Sequence, residues 1–254
     1  MIVCGGECGA KVAARIPRLK DVVVIGSRLD LTAAPDDVEA FVVNVGSDTG
    51  AHRDHKRAYR QLEKGENKNV INAVLNAIEK GGRPPILVYG LCGATGLSIA
   101  RRITDEVPAV HVVVLPHPSE RDAARAVGKF EFVTSAKKAN SSVFRAVTPA
   151  ACMDDKALDT AASIAEASLK EFRTFGVLVN AARNDMHSID DEEASLSDIE
   201  AYVKTAASGH GGRVGAVARE REDRTGLAKE VRREAGERAK DRCMKFNDDV
   251  LDLL

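Results

Sequence analysis

The sequence has no apolar run near the roughly 20 residues that a membrane-spanning helix needs. Met1 leads at once into a short apolar stretch and not into a signal peptide, so we expect a cytoplasmic location. The chain also has no excess of charge, with 37 Lys and Arg against 38 Asp and Glu. This balance gives no reason to expect nucleic acid or a membrane surface as a direct partner.

The sequence also lacks a disulfide framework, because its five cysteines are odd in number and scattered in spacing. Cys4 and Cys8 do not stand at a familiar zinc-binding distance from each other or from His52 and His55. We therefore expect reduced, packed thiols and no metal site built from these residues.

Short aliphatic runs alternate with helical patterns along the 254 residues. Such runs suit strands that are buried on both faces of a parallel sheet. The pattern predicts an α/β fold, a doubly wound and mostly parallel sheet with helices on both faces. The predicted strands cover residues 1–4, 22–25, 41–45, 86–88, 110–115 and 143–147, and the predicted helices include 52–60, 69–78, 121–127, 159–179, 198–205 and 229–245.

Two loops of small residues each stand between a predicted strand and a helical pattern. They are Gly5-Gly6-Glu7-Cys8-Gly9 and Cys92-Gly93-Ala94-Thr95-Gly96. The N-terminus of a helix presents backbone N–H groups and the positive end of the helix dipole, and glycine lets the backbone approach an anion closely. Because ligands of doubly wound sheets bind at the carboxyl ends of strands, the two loops together predict a nucleotide site.

The order of these motifs resembles the tubulin/FtsZ superfamily of polymerising GTPases. The first loop is similar to the family's Gly-Gln-Cys-Gly, and the second to its Gly-Gly-Gly-Thr-Gly. Pro118-Ser119-Glu120-Arg121 is similar to the family loop that approaches the ribose, and Met153-Asp154-Asp155 to the short loop before its long central helix. The resemblance implies that GTP or GDP, with Mg²⁺, is bound by Gly5, Gly6, Glu7, Cys8, Cys92, Gly93, Ala94, Thr95, Gly96, Glu120, Asp154 and Glu166.

The resemblance also implies roles for particular acids. Asp154 and Glu166 would recognise guanine, since a carboxylate accepts hydrogen bonds from both its N1–H and its amino group. Asp198 aligns with the second acid of a pair that reaches into the next subunit's nucleotide, while Ser195 stands at the first, unless Glu192 or Glu193 substitutes for it. Head-to-tail self-association would then place these acids to position the attacking water.

The resemblance divides the chain into a nucleotide-binding domain at 1–158, a central helix with its following turn at 159–188, and a reduced, mainly helical C-terminal region at 189–254. Several residues at the loops depart from the family pattern, namely Glu7, Cys92, Ala94, Leu97 and Ser98. We expect Leu97 to bring bulk near the phosphates. Glu7 places a negative charge there, which a cation or a neighbouring base has to offset.

Two alternatives stay open from the sequence. The first is a catalytically weak or inactive GTP- or GDP-binding scaffold or regulator of the same fold, favoured by Ser195, Leu97 and the reduced C-terminal region. The second is a Rossmann-type dinucleotide enzyme, in which Asp30 falls close to the position of a ribose-binding acid.

Overall fold

The computed structural model describes residues 1–17, 19–46, 54–120, 123–151, 154–174, 187–188 and 196–207. All of these residues belong to the same structural unit. None of the helices in these ranges is long and apolar enough to cross a membrane.

The strands of the described residues form one sheet in which every neighbouring pair is parallel. Their order is β3-β2-β1-β4-β5-β6-β7. The strands are β1 (Ile2–Gly5), β2 (Val22–Gly26), β3 (Glu39–Val42), β4 (Ile86–Gly90), β5 (Val110–Val114), β6 (Val143–Val147) and β7 (His187–Ser188).

The predicted doubly wound parallel sheet is confirmed, but it has a seventh strand, β7, that the sequence did not predict, and β3 is shifted along the chain. β3 pairs with β2 over Glu39–Val42, earlier than the predicted 41–45. Val43 and Val45 follow the strand and are nevertheless 1% and 0% exposed. The Val43 N–H donates to the Gly26 carbonyl at 2.8 Å, so the chain stays hydrogen-bonded to β2 beyond the end of β3, and both valines belong to a hydrophobic core cluster.

Seven α-helices lie within the described ranges, six of them between strands and α7 after β7. The helix predicted at 121–127 begins later, after a 3₁₀ turn, and the long helix predicted at 159–179 begins earlier and is described to residue 174. The tail helix predicted at 229–245 lies outside the described residues. The helices are α1 (Gly6–Ala13), α2 (His55–Leu62), α3 (Gly65–Gly81), α4 (Ala94–Thr104), α5 (Ala126–Thr134), α6 (Asp155–Thr174) and α7 (Leu196–Ala207).

The helices cover both faces of the sheet. Side chains alternate between the two faces along each strand, so Leu87 and Tyr89 of β4 belong to one core cluster and Ile86 and Val88 to the other. Helices α2, α3, α4, α5 and α7 pack on the first cluster, and α1 and α6 pack on the second. The division into three regions stays a prediction, because most of 189–254 lies outside the described residues.

Asp105 ties α2, α4 and α5 together at the end of α4. Its carboxylate accepts hydrogen bonds from the Tyr59 hydroxyl at 2.7 Å, from the Arg101 guanidinium at 3.1 Å and from the Lys137 backbone N–H at 3.0 Å. Burial alone would raise the pKa of Asp105, but these hydrogen bonds outweigh it and hold the pKa below its ordinary value. The carboxylate is thus ionised and fully used in packing.

A neutral histidine lies inside the sheet core. His111 stacks on Phe144 with ring centroids 4.0 Å apart, and its Nδ1 lies 2.9 Å from the Tyr89 hydroxyl. Its Nε2 lies 3.2 Å from the Thr104 hydroxyl, which itself donates to the Ala100 carbonyl. The neutral imidazole therefore carries its proton on Nε2, and its Nδ1 accepts a hydrogen bond from the Tyr89 hydroxyl. Burial lowers the pKa of His111 from 6.5 to about 3.

His111 should lower the free energy of unfolding in acid. Between pH 6.5 and 3 the unfolded chain binds a proton on this imidazole and the folded chain does not, so the unfolding free energy falls as the pH falls. The slope from this one group is about 1.4 kcal/mol per pH unit well below pH 6.5. In urea unfolding at a series of pH values, His111→Gln, which does not titrate, should lose less stability than the wild type between pH 6.5 and 4.5. Parallel pH profiles for the two proteins would contradict the assignment.

Candidate functional site

The two glycine loops meet at the centre of the sheet's carboxyl edge. β1 and β4 are neighbours, and the strand order reverses between them. From β1 the chain enters α1 on one face, and from β4 it enters α4 on the other. In doubly wound sheets this reversal point opens a crevice in which ligands bind.

The loops touch backbone to backbone, which requires glycine. A Cβ on Gly96 would lie 2.3 Å from the Gly5 carbonyl oxygen, far inside contact distance. Gly6 has φ of +67°, and a Cβ there would lie 2.9 Å from the Gly96 nitrogen. We call these two loops, residues 5–8 and 92–96, the glycine cradle.

The cradle consists of two helix N-termini. Gly5 and Gly93 are the N-cap residues of α1 and α4, and neither helix start has a side-chain cap. The first-turn N–H groups of a helix have no partner within the helix, and the dipole makes that end positive. The cradle therefore joins two sets of backbone donors and two positive helix ends at one place.

Two residues of the first cradle loop carry ionisable side chains. Glu7 is exposed and forms an ion pair with Lys11 at 2.6 Å. Lys11 is therefore a neighbouring base that offsets the negative charge of Glu7. Cys8 lies against Gly90, where a Cβ would meet the Cys8 Cβ at 3.1 Å. Burial raises the pKa of the Cys8 thiol to about 12, so it stays protonated and is not a nucleophile at neutral pH.

The side chains at the start of α4 lie in different places, some in the core and one beside the cradle. Leu97 is fully buried in the core cluster, so the bulk expected near the phosphates is directed into the core instead. Ser98 is buried too and donates to the His55 carbonyl at 2.8 Å, which fixes the start of α2 against α4. Thr95 is 6% exposed, lies beside Gly6 and makes no side-chain hydrogen bond within the described ranges.

Glu120 lies at the same edge of the sheet, in the loop after β5. Its carboxylate accepts the His117 backbone N–H at 3.1 Å. Its charge also contributes, after burial, to the raised pKa of Cys8 in α1 and of Tyr202 in α7, each about 12. The loop that carries Glu120 therefore stands within electrostatic range of both α1 and α7.

Helix α7 packs beside that loop of its own chain. The Tyr202 hydroxyl donates to the Pro116 carbonyl at 3.2 Å, and Pro116 follows the carboxyl end of β5. Asp198 lies in the first turn of α7, one turn before Tyr202. Glu193, the other predicted catalytic acid, lies outside the described residues.

The two acids predicted to recognise guanine lie at and within α6, and no hydrogen bond links either of them to the cradle in the described structure. Asp154 precedes α6, and its two oxygens accept the backbone N–H groups of Ala150 at 2.9 Å and Lys156 at 3.0 Å. These bonds, that from Ala150 above all, lower the pKa of Asp154. Glu166 is half-buried within α6, and in the described part of the chain its carboxylate has no hydrogen bond or ion pair.

A buried cation behind the cradle was missed in the sequence. Lys129 of α5 is 1% exposed, and its ammonium donates to the Cys92 carbonyl. The signal was its spacing, because Ala126, Phe130 and Val133 on the same helix face are all core residues. A lysine at a core-facing position is rare unless it has a partner.

The described residues do not form a magnesium site by themselves, because they contain no cluster of three or more His, Cys, Asp or Glu side chains that could hold a metal ion. The starts of α1 and α4 have no side-chain cap, and uncapped backbone N–H groups at a helix start are the kind of donor that suits phosphate oxygens. The chain matches no model of a known protein family and no curated protein.

The contact between the loops should be measurable as stability. Gly96→Ala forces a methyl group into the Gly5 carbonyl, so we expect a loss of about 1–3 kcal/mol in the free energy of unfolding. Gly128→Ala in α5 is the matched control, because a Cβ there meets nothing within 4 Å. The control should gain up to about 1 kcal/mol from helix propensity. Equal urea midpoints for the two variants would refute the contact.

Proposed function

We propose that this chain is a tubulin/FtsZ-like protein that binds a guanine nucleotide with its phosphates in the glycine cradle. The observation that carries the proposal is the backbone contact between Gly5–Gly6 and Gly96 at the reversal point of the sheet. A Cβ at Gly6 or Gly96 would collide with the backbone of the other loop, while the helix starts supply uncapped N–H donors. Phosphate oxygens are the ligand that such donors suit.

The preference for guanine rests on the resemblance together with one feature of α6. Glu166 is half-buried and free of other side-chain bonds in the described ranges, so its carboxylate is available to accept the guanine N1–H and amino group. Asp154 is occupied with backbone groups at the start of α6. Its part in recognition would therefore be to shape the loop, and Glu166 would read the base.

Hydrolysis and head-to-tail assembly form the second part of the proposal. Asp198, with Glu193, would position the attacking water at a nucleotide held between two subunits. Such an acid lowers the barrier by orienting the nucleophile and balancing charge. Since α7 packs beside the β5–α5 loop of its own chain, supply of Asp198 from the same chain is the arrangement to be tested against supply from a neighbour.

A dinucleotide enzyme is the second candidate, because its characteristic strand order 3-2-1-4-5-6 is the order found here for β1 to β6. Asp30 stands after β2, where a ribose-binding acid belongs. Its carboxylate, however, accepts the Ser27 backbone N–H at 2.8 Å within its own loop. That bond favours a structural use of Asp30 and weakens this candidate.

Binding can be tested at Gly93, which is exposed and has an extended backbone that suits an N-cap residue. Gly93→Asp should fold at least as stably as the wild type, because aspartate caps a helix well. Its carboxylate would occupy the α4 donors and repel phosphate, so GTP affinity in calorimetry should fall by about tenfold or more. Gly93→Asn has the same shape without the charge and should bind more tightly than Gly93→Asp.

The same titrations with GTP, GDP, ATP and NAD⁺ separate the candidates. Binding of GTP and GDP but not ATP supports a guanine site, and identification of the nucleotide that co-purifies gives an independent check. Binding of NAD⁺ alone would favour the dinucleotide enzyme. GTP affinities that are the same in Gly93→Asp and the wild type would remove the cradle from the binding site.

The origin of the catalytic acid can be tested by mixing two variants. Asp198→Ala has an intact cradle, and Gly93→Asp has an intact Asp198. If a neighbour supplies the acid, each should be inactive alone at a GTP concentration that Asp198→Ala binds and Gly93→Asp does not, while their mixture should hydrolyse GTP with a rate that rises with protein concentration. A mixture that stays inactive beside an active wild type indicates supply within one chain. A wild type that binds GTP without turnover at any concentration indicates the silent scaffold.

A further inference from the structure

Lys129 is the feature that the proposed site leaves unexplained. It lies in the buried face of α5, between Ala126 and Phe130, with 1% of its surface exposed. Moving an ammonium group out of water costs several kcal/mol, which packing alone does not return. An apolar residue of similar length would fill the same position without that cost.

The ammonium of Lys129 lies directly behind the glycine cradle. It donates to the carbonyl of Cys92, the residue before the N-cap of α4. The N–H groups that follow in the chain belong to the first turn of α4, at the front of the same loop. An anion held by that turn would therefore meet the positive end of α4 and, through the loop, the charge of Lys129.

The charge of Lys129 acts on a neighbouring side chain, that of His55. His55 begins α2 nearby, and its pKa is lowered first by burial and then by the charge of Lys129. The His55 ring packs edge-on against Phe132, with centroids 4.7 Å apart. Charges in such weakly polar surroundings act over longer distances than charges in water, because less solvent screens them.

We propose that Lys129 is a positioning residue that places a fixed positive charge behind the glycine cradle and makes the site prefer ligands with more phosphate groups. This inference rests on the proposed nucleotide site. It adds a basis for discrimination by phosphate number, which neither glycine loop shows alone.

The test compares three ligands on Lys129→Met. We expect its affinity for GTP to fall by about tenfold or more, its affinity for GDP to fall less, and its affinity for guanosine to change by less than about twofold. Its thermal unfolding midpoint is measured alongside, so that a fall in affinity can be separated from a loss of folded protein. Lys137→Met, which changes an exposed lysine just beyond α5, is the matched control and should leave all three affinities unchanged.

A second variant separates the charge from the hydrogen bond. Lys129→Gln retains an N–H donor for the Cys92 carbonyl without the charge, so it should resemble Lys129→Met. Wild-type affinities in Lys129→Gln, or equal losses for guanosine, GDP and GTP in Lys129→Met, would show that Lys129 only braces the loop and would overturn the inference. If the wild type binds GTP and Lys129→Met binds it equally well, this inference alone fails. If the wild type binds none of the three ligands, the proposed function fails with it.

Discussion

The close approach of two backbones at the Gly5–Gly96 contact constrains the rest of the carboxyl edge. The contact holds the starts of α1 and α4 side by side although the two helices lie on opposite faces of the sheet. Side chains are excluded from the seam, so the groups left there are peptide units. That geometry turns two ordinary strand-to-helix turns into one array of donors.

Charge is arranged around that array in layers. Exposed Glu7 and Lys11 neutralise each other at the front, and a pair of this kind on the surface contributes little to stability. The buried charge of Lys129 lies at the back, where screening is weak. Glu120 and α7 border the site on the β5 side. Among the described residues, the backbone dipoles of α1 and α4 and the buried charge of Lys129 therefore act at the cradle together.

Local sequence signals predicted six of the seven strands and the two glycine loops, and the remaining features depend on contacts that no local pattern contains. The aliphatic run at 22–25 forms a buried strand, whereas in the run at 41–45 the buried residues Val43 and Val45 come after β3. Leu97 was expected near the phosphates because it follows the glycine loop, but the helical rotation of α4 directs it inward. The Gly5–Gly96 contact joins distant parts of the chain, so only the folded sheet shows it.

Helix α4 is buried without interruption from Ala94 to Ala100, which has a consequence for the thermodynamics of binding. A helix start whose residues are all buried has little freedom to rearrange around a ligand. The entropy cost of ordering these peptide groups therefore arises during folding and not during binding. An anion that enters the cradle would then bind to a rigid surface, with little change in heat capacity and little ordering of this backbone. Its affinity would be set by how readily it gives up its own water.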